Sequence, residues 1–124
     1  MIVVDSCGWL EYFSNGPLAD AYAKYLVGDS EIVTPSIIHY EIFKIMKQQV
    51  NEEAALMAIA QINKTKIIPL TDDIALMAAN IHLHYSLPMA DAVIYATAGY
   101  AGADVVTSDS HFENLPGVIY LKKS

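Results

Sequence analysis

The chain has 124 residues, 54% of them apolar, and a formal net charge of −7 from 14 acidic and 7 basic side chains. That length fits one domain spanning 1–124 with a continuous core, and the apolar content excludes a disordered chain. Every basic residue is Lys, so the composition lacks the basic face usual in a nucleic-acid binder.

Residues 2–4 (Ile2-Val3-Val4) form an apolar run that predicts a buried strand, with Asp5 at its carboxyl end. Taken alone, Asp5 reads as the N-cap of a helix over 6–14, which carries Trp9, Leu10 and Phe13 at helical spacing and breaks at Asn15-Gly16-Pro17. The lone Cys7 can form no internal disulfide, and the amino terminus lacks the cationic segment of a signal peptide. A second helix over 18–27 is closed by Gly28, a second strand follows at 31–34, and Pro35 opens a helix over 36–50. Ile37, Ile38, Tyr40, Ile42, Phe43, Ile45 and Met46 make that helix apolar almost all round, so we expect one face on the sheet and the other on a second subunit.

Glu41 interrupts that apolar helix. It reads either as a solvated acid paired with Lys44 or Lys47, or as a carboxylate whose burial requires a cation. Asn51-Glu52-Glu53 starts a helix to about residue 62, residues 66–70 form a third strand near an edge because of Pro69, and Thr71-Asp72-Asp73 caps a helix to about 85. His82 and His84 are two apart on a helix and diverge, while His39 and His111 have no partner at ligand spacing, which argues against a histidine-rich zinc site. Beyond Pro88 a small-residue helix over 90–101 carries Asp91 in its first turn and ends at Gly102. Residues 104–107 are a strand with Asp109 just past its end. A turn at 110–113, a last strand over 118–121 and a frayed tail, Lys122-Lys123-Ser124, complete the chain. No uncharged run approaches the ~20 residues of a membrane-spanning helix, so a soluble, cytoplasmic protein is expected. The order β-α-α-β-α-α-β-α-α-β-β predicts an α/β fold, a three-layer α/β/α sandwich with a mostly parallel central sheet.

Four acids stand out by position: Asp5 and Asp109 follow strands, Asp91 opens a helix and Glu41 interrupts an apolar face. Brought within ~5 Å, each pair would repel by roughly 3 kcal/mol at an effective dielectric of ~20, so such a cluster calls for a cation. Oxygen-only ligands suit Mg²⁺ or Mn²⁺, and the chemistry that follows is metal-assisted phosphodiester hydrolysis.

The segments Ile2-Val3-Val4-Asp5-Ser6, Trp9-Leu10-Glu11-Tyr12-Phe13, Glu41, Leu87-Pro88-Met89-Ala90-Asp91-Ala92 and Val106-Thr107-Ser108-Asp109-Ser110-His111-Phe112 resemble a PIN domain. They are most similar to the short toxin ribonucleases of the VapC type, over essentially the whole chain. The resemblance implies a catalytic and metal site of Asp5, Glu41, Asp91 and Asp109 binding Mg²⁺ or Mn²⁺, with the hydroxyls of Ser6 and Thr107 supporting the carboxylates. It also implies an endoribonuclease acting on transfer or ribosomal RNA, a homodimer, and a small cognate VapB-like antitoxin. Lys24, Lys44, Lys47, Lys64 and Lys66 are the internal candidates for phosphate contact, with Lys44 and Lys47 best placed beside Glu41. The alternatives are a catalytically silent PIN-like module that binds RNA or protein, or a PIN nuclease of RNA processing with no toxin role. A receiver-type phosphoacceptor fits poorly, because Ser6-Cys7 follows Asp5 and the strand over 66–70 ends in Thr71.

Overall fold

A computed structural model describes residues 1–123. Five short strands and six helices alternate as β1 (Ile2–Val4), α1 (Ser6–Ser14), α2 (Ala19–Leu26), β2 (Val33–Pro35), α3 (Ile37–Gln49), α4 (Glu52–Ile62), β3 (Lys66–Ile68), α5 (Asp72–Tyr85), α6 (Met89–Ala101), β4 (Asp104–Thr107) and β5 (Val118–Tyr120). All strand pairing is parallel: β1, β4 and β5 form one ladder in that order, and β2 and β3 another. A single parallel bridge between Ile2 and Ile32, with the Ile2 amide donating to the Glu31 carbonyl at 2.9 Å, joins the two ladders across β1. The resulting order β3-β2-β1-β4-β5 reverses direction between β1 and β4. Crevices that bind ligands in open α/β sheets lie beyond the carboxyl ends of strands at such a reversal.

Val3, Val4, Val33, Val105 and Val106 are buried completely or nearly so, as expected for parallel strands covered on both faces. The packing of α1 on α2 depends on Gly8, where an added Cβ would stand 2.4 Å from the Tyr22 ring and 2.7 Å from Val4. Tyr22 is fully buried, and its hydroxyl donates to Ser108 Oγ at 2.8 Å, tying α2 to the segment after β4. Thr71 and Asn51 cap α5 and α4 through their side chains, and Asp72 and Asp73 occupy the first turn of α5 as helix-dipole partners.

Three expectations need correction. Pro35 ends β2 opposite Ile68 instead of opening α3, because the ladder continues through its carbonyl side and Ser36 N donates to the Ile68 carbonyl at 3.0 Å. Much of the second apolar face of α3 packs against α4 of the same chain instead of a second subunit, although Tyr40 on that helix stays 64% exposed. Further large apolar side chains are exposed on α5 and α6, where Leu76, Leu83 and Met89 are 67%, 79% and 76% exposed. Finally, Lys122 and Lys123 line a cleft instead of fraying free, while the tail's Ser124 falls outside the described residues. Among the described residues, no helix is long and apolar enough to cross a membrane.

Candidate active site

Asp5 leaves β1 at the reversal point and starts α1, so it is both a cap and a member of the crevice. Its Oδ1 accepts from the Ser6 amide at 2.8 Å, and its Oδ2 accepts from the Thr107 hydroxyl at 2.8 Å. Asp5 is only 2% exposed. Burial is the main reason its carboxyl is pushed up from 3.8 to about 6. The Thr107 and Ser6 hydrogen bonds pull the other way, and the charges of Asp91 and Asp109 add to the rise. Asp91 and Asp109 are therefore near enough for their charge to be felt at Asp5.

Thr107 joins two of these acids. It is fully buried at the end of β4, donates to Asp5, and accepts the Asp109 amide at 3.0 Å. One hydroxyl thus fixes the Asp5 carboxylate and the backbone turn that presents Asp109. Asp109 in turn caps a one-turn 3-10 helix, Ser110–Phe112, by accepting the His111 amide at 2.9 Å, and buried Phe112 anchors that turn.

Asp91 enters from the first turn of α6, which Pro88 starts in an extended conformation that a helix interior would not allow. Burial raises its carboxyl above the usual range, the hydrogen bond from His111 lowers it, and Asp109 raises it again. Glu41, on α3, is likewise pushed up, first by burial and then by Asp5, with Ser6 and the more distant Lys44 opposing and Asp91 adding. Glu41 Oε1 is buried without a hydrogen-bond partner. An orphaned buried acceptor among like charges is what a cation-binding site looks like without its cation, since leaving it so costs ~1–3 kcal/mol or more. The donor set of carboxylate oxygens suits Mg²⁺ or Mn²⁺. Asp5, Glu41, Asp91 and Asp109 thus influence one another's charge, with Thr107 and the Ser6 backbone holding Asp5, while Asp91 and Asp109 share with His111 a group of ligand atoms within 4.8 Å of one another.

Of the two lysines expected beside Glu41, Lys44 helps to lower its carboxyl, and both also lie against aromatic rings of their own helix. Lys47 pairs with Glu52 at 3.2 Å and lies over the Phe43 ring, and Lys44 stands 5.0 Å from the centre of the exposed Tyr40 ring. Lys122 and Lys123 line a cleft of about 520 Å³ together with Cys7, Ser108, Asp109 and Tyr120. They escaped the sequence reading because a terminal Lys-Lys pair carries no pattern of its own.

His111 is the second correction at the site. Spacing in sequence gave it no partner, yet its Nδ1 lies 2.9 Å from Asp91 Oδ2 and 3.3 Å from Asp109 Oδ1. The hydrogen bond to Asp91 and the charge of Asp109 raise its basicity. Cys7 is also drawn in, with Sγ 3.5 Å from Asp5 Oδ2 and from Thr107 Oγ1. Burial and the Asp5 charge push the thiol up, which keeps it protonated.

Comparison with known proteins agrees with this architecture. The PIN domain family matches residues 2–118. A toxin-antitoxin complex from Klebsiella pneumoniae superposes with a TM-score of 0.83 at 22% identity, covering 99% of this chain and all of that one. VapC20 of Mycobacterium tuberculosis, described as a sarcin-ricin-loop-cleaving toxin, superposes at 0.82 with 16% identity over 99% of this chain and 100% of its own. DNA-bound VapBC from Salmonella typhimurium gives 0.74 at 17% identity, with 98% of each chain covered. No curated protein sequence matches. With the family match spanning nearly the whole chain, this protein belongs to the PIN-domain family.

Proposed function

We propose that the protein is a metal-dependent endoribonuclease, the toxin of a toxin–antitoxin pair, acting through Asp5, Glu41, Asp91 and Asp109. The observation that carries this reading is the orphaned, buried Oε1 of Glu41, on a carboxylate that, like Asp5, is pushed toward its protonated form first by burial and then by neighbouring acids. Mg²⁺ or Mn²⁺ bound there supplies charge neutralisation and acidifies an attacking water.

The chain's own residues do the rest. Asp5 is held immobile by Thr107 and Ser6, so a ligand is met by an oxygen already in place and little ordering remains to be done. Asp91 and Asp109, with 14% and 30% of their side chains accessible, are more open to a phosphodiester than Asp5. Lys122 and Lys123, which line the same cleft as Asp109, offer a cationic contact for the flanking phosphates of RNA. The acidic crevice of a chain without Arg also suits a cationic segment of a cognate VapB-like antitoxin, which would occupy the site in competition with RNA. The exposed apolar strip of Leu76, Leu83 and Met89 is the surface a homodimer would cover.

The test is incubation of total RNA with the purified chain in the presence and absence of Mn²⁺, beside an Asp5→Asn control. Discrete fragments that need both the ion and Asp5 support the reading. Fragments formed equally by the control, or none under any condition, overturn it in favour of a silent binding module.

A further inference from the structure

The four carboxylates do not exhaust the donors in the crevice. Asp91, Asp109 and His111 each place one possible ligand atom within 4.8 Å of the other two, and the imidazole Nδ1 stands 2.9 and 3.3 Å from the two carboxylate oxygens. Donor atoms around a six-coordinate ion with ~2.1 Å bonds lie roughly 3 Å apart along each edge, so this spacing suits a shared ion as well as direct hydrogen bonds. The local fold delivers His111 to this place. Asp109 Oδ1 accepts the His111 amide at 2.9 Å, the adjoining Phe112 is fully buried, and the 3-10 turn of Ser110–Phe112 holds the His111 backbone beside Asp109. The ring is nonetheless exposed, with 55% of its side chain accessible, so nothing in the core requires it.

The geometry points to His111 as a nitrogen ligand that makes this a mixed nitrogen–oxygen site and biases it from Mg²⁺ toward first-row transition ions. The inference rests on the metal-binding reading of the crevice and adds selectivity to it. Mg²⁺ takes hard oxygen donors and holds its waters, gaining little from an imidazole. Mn²⁺ and, more strongly, Co²⁺ accept nitrogen along the Irving–Williams series. A histidine that served only to hydrogen-bond Asp91 would support every ion alike. One that merely filled the place of a cation would compete with every ion alike.

These roles separate in calorimetric titrations of the full chain with MgCl₂, MnCl₂ and CoCl₂, comparing wild type with His111→Ala and His111→Gln. The Gln variant keeps a hydrogen-bond donor for the carboxylates but has no imidazole nitrogen. We expect both variants to lose Mn²⁺ affinity about tenfold or more and Co²⁺ affinity further, while Mg²⁺ affinity moves less than about threefold. In the Mn²⁺-loaded wild type, electron spin-echo spectra should show nitrogen coupling that shifts with ¹⁵N-histidine labelling and is absent from both variants. Equal weakening of all three ions, equal strengthening, or full recovery of Mn²⁺ binding by Gln overturns the ligand role while leaving the metal site standing. Failure of the wild type to take up any of the ions overturns the metal site itself.

Discussion

Two groups of acids in this molecule show opposite uses of the same side chain. Glu52 and Glu53 sit in the first turn of α4, exposed, with Glu52 paired to Lys47 at 3.2 Å, where the helix dipole and solvent favour their charge. Asp5 and Asp109 follow the carboxyl ends of the paired strands β1 and β4, and Asp91 and Glu41 come from α6 and α3. Burial and one another's charge work against ionisation of Asp5, Glu41 and Asp91. Acids of the first kind help the fold in a small, salt-screened way. Those of the second kind cost the fold stability, a cost that the proposed metal ion would offset.

That contrast breaks most sharply under substitution. Asp91→Asn should lower Mn²⁺-dependent RNA cleavage at least about a hundredfold, since even outer-shell groups around a metal are worth 10–100-fold. Gel assays under single-turnover conditions read it directly, and near-normal cleavage would remove Asp91 from the site. Stability should move the opposite way. In metal-free protein near neutral pH, Asp5→Asn should be more stable than wild type by about 3 kcal/mol, the order of magnitude set by holding an ionised carboxyl whose folded value is about 6 against an ordinary 3.8.

The sign also fixes the pH dependence. The folded state holds the Asp5 proton more tightly than the unfolded chain does, so stability is full below about 4, falls as pH rises to about 6, and stays low above that. The advantage of Asp5→Asn should therefore shrink toward zero as pH falls from 7 to 4, measured by urea unfolding with a chelator present. An advantage that does not change with pH would mean that the Asp5 charge is not its source.

Smaller effects follow toward the surface. Replacing Lys122 and Lys123 together by Ala should weaken RNA binding by a catalytically silent Asp5→Asn background and reduce the salt slope by about one per lysine. An unchanged slope in filter-binding across a salt series would send the RNA elsewhere. Smallest of all, Lys47→Ala should change unfolding free energy by less than about 1 kcal/mol, as exposed ion pairs do, and leave cleavage intact.

The sheet and helices were legible because they are written locally. Val3 and Val4, Val105 and Val106 are apolar runs, and Asn51, Thr71 and Gly102 punctuate helices by their side-chain or backbone chemistry. Asp5 and Asp109 were visible as strand-end acids, and Asp91 by its place after Pro88. Glu41 could be suspected only from the apolar helix around it. His111 was not legible, because its partners lie 20 residues away and on its own turn, and helical spacing rules do not describe a one-turn 3-10 helix. The covering of α3 by α4 was equally hidden, since an apolar helix does not say whether the chain or a second copy will cover it.

The most direct measurement is anomalous diffraction from crystals of the wild-type chain equilibrated with Mn²⁺. The account predicts a strong peak inside the crevice, bounded by the carboxylates of Asp5, Asp91 and Asp109, with Glu41 turned toward it. A fully occupied peak elsewhere on the surface, with the crevice empty of anomalous signal, would contradict it.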